Sequence, residues 1–333
     1  MEDGTASIFT MDLEQPTRYS IVRQLGEGGM GEVYEAIQHG ADGFVKRVAI
    51  KLIRNWVAEK PEFLQNFVGE AKLVAQLVHT NIVQTYQFGH SNGSPFIAME
   101  YIQGTDLLQM LHVHAARELC LPVDLAVFIA SRVCRGLAYA HTRIDANGES
   151  LGIVHRDISP PNIMISREGD VKITDFGMAK ALNLMLDGEG EIVMGKACYM
   201  SPEQARGERT DGRSDLFSTG VVLSEMLIGA NIFSAQDPSE IIQRILEMEI
   251  PDIRDLCPEV GEDLSRILKR AMARDLSRRY GNAGEMLVDL ERFIYSAGYG
   301  PTSETLAEYV RDYVKVERAP ISPTGGTALL KSK

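Results

Sequence analysis

Asp157 and Asn162 stand five positions apart in the densest chemical stretch of the chain, residues 153–162, which read Ile-Val-His-Arg-Asp-Ile-Ser-Pro-Pro-Asn. Two apolar residues of strand character lead in, two prolines bar a helix, and Ile163-Met164-Ile165 resume the strand character. The product is a rigid loop. A carboxylate held there can take the proton of a hydroxyl, and an amide oxygen can ligate a hard cation such as magnesium. By themselves, Asp and Asn beside proline are turn formers first. The surrounding elements have to decide.

Nearer the N-terminus, residues 19–25 alternate like a strand. Gly26-Glu27-Gly28-Gly29-Met30-Gly31 then turns, and residues 32–37 alternate again, which predicts a hairpin. Glycine amides, with no Cβ in the way, can approach a polyphosphate closely. A strand follows the glycines where a dinucleotide fingerprint requires a helix, so that competitor is removed. A bare glycine-rich hairpin remains the plain alternative. Residues 47–53 predict another strand, with Lys51 between apolar neighbours, where a lysine either snorkels to water or meets an anion. A 3.6-residue apolar period predicts a helix over 61–78. Glu70 lies beside its buried face, where a lone carboxylate is costly, and pairing with Lys51 would settle both charges.

Strands are expected over 82–88 and 96–101, then helices over 107–117 and 123–140, which puts a boundary near 101–104. Residues 171–174 form a short strand ending at Asp175-Phe176-Gly177, where Asp175 can hold a metal or simply turn the chain. Helical patterns occupy 216–227, 239–248, 263–273, 283–296 and 303–314. The last carries Leu306, Tyr309, Val310, Tyr313 and Val314 in one stripe, to dock on the molecule or a partner. Residues 1–18 read as a mobile leader and 317–333, rich in Pro, Gly, Ser and Lys, as a disordered tail.

A chain of 333 residues favours two domains or lobes. The net charge of -12 disfavours a general nucleic-acid or anionic-membrane surface. The four cysteines form no Cys-x-x-Cys pair, which favours reduced thiols and a cytoplasmic setting over zinc. The N-terminus lacks a signal-peptide pattern, and the most apolar stretch, 217–233, is too polar to span a membrane and reads as a buried helix.

The glycine turn, Ala49-Ile50-Lys51, Glu70, His155-Arg156-Asp157 with Asn162, Asp175-Phe176-Gly177 and Ser201-Pro202-Glu203 occur in one order, and the set resembles the protein-kinase signature. The Gly-Gly-Met-Gly, Tyr-Met-Ser-Pro-Glu-Gln and Arg-Ser-Asp-Leu-Phe-Ser segments look most like the eukaryotic-like (Hanks-type) serine/threonine kinases of bacteria, especially gliding bacteria. The resemblance implies an α+β bilobal fold with MgATP in the cleft. A small β-rich lobe with one key helix spans 19–101, a large helical lobe spans 102–296, and an amphipathic helix follows over 297–316. It implies that Leu25, Gly26, Glu27, Gly28, Gly29, Met30, Gly31, Glu32 and Val33 cover the phosphates. Lys51 pairs with phosphates and Glu70, Asn162 and Asp175 hold magnesium, and Asp157 deprotonates the acceptor hydroxyl. Val33, Ala49 and Met164 sandwich adenine, with Met99 as gatekeeper and Glu100 to Ile102 as hinge. Asp215 braces the catalytic loop, and Arg279 pairs with Glu203. The implied partners are protein substrates and ATP, and a homodimer would serve autophosphorylation.

Three departures stand out. Ser159 occupies the position, two after the catalytic Asp, where serine/threonine kinases carry lysine. Gly195-Lys196 stands where a Gly-Thr pair is usual. The exchange looks reciprocal, so Lys196 is expected at Asp157 or the γ-phosphate, with Ser159 taking the bridging role of the hydroxyl; a solvated Lys196 is the alternative. Third, residues 178–200 contain no Ser or Thr, so loop phosphorylation on those residues cannot order the segment; Asp187, Glu189 and Glu191 are candidates to pair with Arg156 instead, against the plainer alternative of an acidic solvated loop. A pseudokinase and a small-molecule phosphotransferase remain the competing classes. All four of Lys51, Asp157, Asn162 and Asp175 are present, which disfavours the first. The Ser-Pro-Glu segment and Asp215 disfavour the second.

Overall fold

The computed structural model describes residues 17–28, 31–54, 69, 73–91, 94–176, 194–296, 298–313 and 329–331. The chain divides into two compact units, one from 1–55, 87–101 and 322–333, the other from 56–86 and 102–321.

The first unit is built on an antiparallel sheet of β1 (Arg18–Gly28), β2 (Gly31–His39), β3 (Val45–Ile53), β4 (Thr85–Ser91), β5 (Ser94–Glu100) and β9 (Leu329–Lys331), in the order β4-β5-β3-β2-β1-β9. The β1–β2 register closes at Gly28 opposite Gly31. Gly31 is required because a Cβ there would lie 2.1 Å from the Leu52 carbonyl oxygen. Side chains alternate across a sheet, so register decides which residues share a face. Tyr19, Ala36, Val48, Ile50, Phe96 and Ala98 fill the core on one face. Val33 lies opposite Lys51 and Ala49 opposite Met99, which puts these four on the other face.

The tail departs from expectation. Residues 329–331 are not disordered but pair with β1, Arg18 opposite Lys331 and Ser20 opposite Leu329. An edge strand offers a row of unpaired N–H and C=O groups, an attraction that composition cannot reveal. β1 itself begins at Arg18, inside the expected leader. Most of the expected 61–78 helix lies outside the described residues; Gly69, Leu73 and Val74 are helical. The strand expected over 82–88 begins at Thr85, because Ile82 and Val83 are claimed elsewhere: Val83 N–H donates to the Ile173 carbonyl at 2.8 Å, and both side chains are buried.

The second unit is helical around a three-stranded sheet, β6 (Gly104–Asp106), β7 (Ile163–Ser166) and β8 (Val171–Ile173). Its helices are α1 (Leu107–Ala115), α2 (Val123–His141), α3 (Met194–Ala197), α4 (Pro202–Ala205), α5 (Gly212–Ile228), α6 (Pro238–Glu247), α7 (Ile253–Leu256), α8 (Glu262–Ala271), α9 (Ala283–Tyr295) and α10 (Ser303–Tyr313). Local chemistry sets their ends. Asp211 caps α5 by accepting from Arg213 N–H, and Gly229 ends it at φ +75, a conformation glycine adopts without strain. Nearly every α5 residue from Ser214 to Leu227 is buried, so this helix lacks a polar stripe because it runs through the core. No helix among the described residues is long and apolar enough to cross a membrane. α10 docks on its own unit: Leu306 and Val310 are buried, and the Tyr309 hydroxyl meets His114 Nε2 at 2.6 Å.

Candidate active site

The loop carrying Asp157 is cinched by a buried carboxylate from α5. Asp215 Oδ2 accepts from His155 N–H at 2.8 Å and Oδ1 from Arg156 N–H at 2.7 Å, while His141 Nε2 donates to Oδ2 at 2.8 Å. These bonds hold Arg156 at φ +63, left-handed space that a non-glycine residue adopts only when its surroundings impose it. Burial pushes the Asp215 pKa up, but the hydrogen bonds and nearby imidazoles outweigh it, and the net direction is down. The loop is therefore braced by an ionised aspartate.

His155 ties this loop to the strand end that carries Asp175. Its Nδ1 accepts from Asp157 N–H at 3.1 Å, so the proton sits on Nε2, which donates to the Thr174 carbonyl at 2.8 Å. The ring also meets Phe176 edge-on, with centroids 4.6 Å apart. Asp175 follows at φ +62.

At Asp157 the polar groups converge. Asn162 Nδ2 donates to the Asp157 carbonyl at 2.7 Å and to its Oδ2 at 2.8 Å. Lys196 Nζ, from α3, donates to the same Oδ2 at 2.5 Å. The expected approach of Lys196 to Asp157 is thus present, with the lysine side chain still 37% exposed. With its nitrogen doubly engaged, Asn162 leaves its side-chain oxygen with no hydrogen-bond partner among the described residues, although the residue is only 4% exposed. An orphaned buried oxygen is a fit for a hard cation, and Asn162 with Asp175 could supply the one or two protein oxygens magnesium ordinarily takes beside substrate phosphates. Ser159 behaves otherwise than expected. Its buried hydroxyl donates to the Asp157 carbonyl at 3.3 Å and has no other hydrogen-bond partner among the described residues.

In the sheet unit, Lys51 on β3 is 7% exposed and lies opposite Val33, with Ala49 and Met99 on the same face, 6% and 8% exposed. Leu25, Gly26 and Glu27 are exposed on β1, and Glu27 forms an ion pair with Arg54. Glu32 accepts a hydrogen bond from Tyr34, and Glu100 ends β5. Ile102 begins the second stretch of the second unit, which also carries Met164, half-buried on β7. Gly29, Met30, Glu70, Asp187, Glu189 and Glu191 lie outside the described residues. Among the described residues, Arg156 Nε–H donates to Thr210 Oγ1 at 3.1 Å.

Beyond Lys196 the chain is fixed from the opposite side. Tyr199 is buried, its hydroxyl donates to Glu225 at 2.6 Å, and its carbonyl accepts from Ser218 at 2.7 Å. Burial is the largest cause pushing the Tyr199 phenol far up, and Glu225 adds to it. Ser201 and Gln204 form a reciprocal capping box at α4, and Gln204 Nε2 reaches the Arg156 carbonyl at 2.8 Å. Glu203 takes both arms of Arg279, at 2.7 and 3.2 Å, and the Ser214 hydroxyl at 2.6 Å. Burial pushes its pKa up, and these partners bring it below its usual value. Motif reading missed His141, Gln204 and Thr210. Only Gln204 left a signal, the Ser-x-x-Gln spacing of a capping box.

The geometry has counterparts. Residues 19–289 match the model of the family described as the protein kinase domain. The chain is 36% identical over 300 residues to the tyrosine-protein kinase MasK of Myxococcus xanthus, covering 90% of this chain and 46% of that protein. It is 35% identical over 274 residues to the serine/threonine-protein kinase PrkC of Bacillus subtilis, covering 82% of this chain and 40% of the relative. The chain therefore spans less than half the length of these curated relatives. Among solved structures, the PknI kinase domain of Mycobacterium tuberculosis superposes with a TM-score of 0.62 at 26% identity, over 82% of this chain and 95% of that one. With the family model running from β1 into α9 and both kinds of relative agreeing, the chain belongs to the protein kinase domain family.

Proposed function

We propose that this chain transfers the γ-phosphate of ATP to serine and threonine hydroxyls of protein substrates in bacterial signalling. The observation that carries the reading is Asp157: a half-buried carboxylate on a braced loop, with Oδ2 engaged by Asn162 and Lys196 and Oδ1 without a hydrogen-bond partner among the described residues. Oδ1 is then the oxygen that receives the proton of the acceptor hydroxyl. By the same proposal the phosphates fall to residues 25–33 of the β1–β2 hairpin and to Lys51, and the adenine to Val33, Ala49, Met99 and Glu100. Asn162 and Asp175 would hold magnesium, which supplies charge neutralisation on the phosphates when bound. The remaining work is positioning, which the Asp215 and His155 contacts perform. A cytoplasmic setting and a homodimer for autophosphorylation belong to the same proposal.

Incubation with labelled ATP, magnesium and a generic protein substrate tests it. Transfer is expected, and Asp157→Asn should lower it by roughly three orders of magnitude or more. No transfer from the unaltered chain would leave a binding module. A second acceptor class has its own support, because one 36% identical relative is a tyrosine-protein kinase and position 159 lacks the lysine usual for serine and threonine acceptors. Phosphoamino-acid analysis of the labelled product separates the two: phosphoserine and phosphothreonine are expected, and phosphotyrosine alone would replace the acceptor class.

A further inference from the structure

We propose that Lys196 is a catalytic residue: it supplies, from helix α3, the cation that the catalytic loop lacks at Ser159, contacting the transferred phosphoryl group while it holds the base. The proposal rests on the phosphotransfer reading above. Position 159 contributes no charge, and its hydroxyl is spent on the Asp157 carbonyl. Arg156, the nearest cation in sequence, directs its guanidinium to Thr210. Among the described residues Lys196 is the one cation paired with Asp157, and Asp157 is its one partner.

The backbone beneath Lys196 is fixed independently. Ala197, Cys198 and Tyr199 are buried, and Tyr199 is held through both its hydroxyl and its carbonyl. The lysine stem therefore starts from a defined point and needs only its own length to reach the base. Its side chain is still 37% exposed, against 13% for Asp157. An ion pair so open to water adds little to stability. Fold stability thus gives no strong reason for placing this charge on the base. Charge that develops during transfer does, since preformed donors act there at full strength.

In the step itself, the acceptor oxygen bonds to the γ-phosphorus as its proton passes to Asp157 Oδ1. The bond from phosphorus to the bridging oxygen breaks, and that electron pair leaves with ADP. One Lys196 N–H keeps Oδ2 in place, so the base presents Oδ1, and the other two are available to the phosphoryl oxygens.

Steady-state kinetics on Lys196→Met and Lys196→Ala, with melting temperatures and with Asp157→Asn as the blank, test the idea. Both variants should lose about 100-fold in kcat, with KM for ATP changed less than about threefold and melting within about 2 °C. Small alkylammonium ions such as ethylammonium should restore turnover of Lys196→Ala in a concentration-dependent manner, which a merely structural lysine would not allow. Turnover within about twofold in Lys196→Met, equivalent to about 0.4 kcal/mol, overturns the proposal. So does a rise in kcat, which would make Lys196 a lock on the base, or a folded Lys196→Ala that no amine restores. If the unaltered chain transfers nothing, the phosphotransfer reading falls first and the proposal with it, an outcome distinct from an active chain indifferent to Lys196.

Discussion

At the scale of single residues, the fixed point is a buried charge beneath the Asp157 loop. Asp215 accepts two loop N–H groups and an imidazole, and the left-handed Arg156 depends on it. In Asp215→Asn one oxygen becomes an NH₂ group facing a donor, and a buried N–H loses its acceptor at a cost of about 1–3 kcal/mol. Lower melting temperature and lower kcat together are the expected outcome. The pH dependence has a definite sign. The folded pKa of Asp215 lies below its ordinary 3.8, so its stabilising contribution is fully present above about pH 4 and is lost as pH falls through the folded value. Melting curves of the two proteins should accordingly converge below about pH 4; a constant gap would mean the carboxylate charge is not what braces the loop.

At the scale of elements, α3 and α4 are held by tertiary contacts that need no phosphate. Residues 178–200 offer no Ser or Thr, and Tyr199, their one hydroxyl, is buried against Glu225. Phosphatase-treated protein should thus keep its transfer rate within about twofold (about 0.4 kcal/mol). A required phosphate mapped to Tyr199 would refute this. Next to it, Glu203 and Arg279 form a bidentate pair with side chains 4% and 0% exposed. Arg279→Leu leaves Glu203 ionised in the core without its partner, a loss of about 3–5 kcal/mol. Melting should fall by roughly 6–15 °C on that basis. This pair was readable as a resemblance from Ser-Pro-Glu and a distant arginine, whereas its burial was not.

For the whole molecule, the family match stops at residue 289, yet the fold does not. α10 buries Leu306, Ala307 and Val310, and Gly169 lets it approach so closely that a Cβ there would lie 1.8 Å from the Ser303 carbonyl oxygen. Leu306→Ala should cost about 2–5 kcal/mol, seen as a lower midpoint in urea with activity kept at low temperature. A change below about 0.5 kcal/mol would make α10 an appendage.

The sequence by itself determined what depends on residue type and order: the hairpin glycines, the apolar periods of the helices, and Lys51, Asp157, Asn162 and Asp175 as the candidates for the chemistry. Phosphate, proton and metal each accept few side chains, so these positions can be read without coordinates. Even the Ser159–Lys196 exchange was visible as a pair of departures. Tertiary structure decided what depends on proximity. It set Lys196 on Asp157 Oδ2, turned the Ser159 hydroxyl back into its own loop, and gave residues 329–331 a strand to pair with. Hydrogen bonds form between groups within about 3 Å of each other. For positions 39 residues apart in the chain, that distance is fixed only when the core between them has packed.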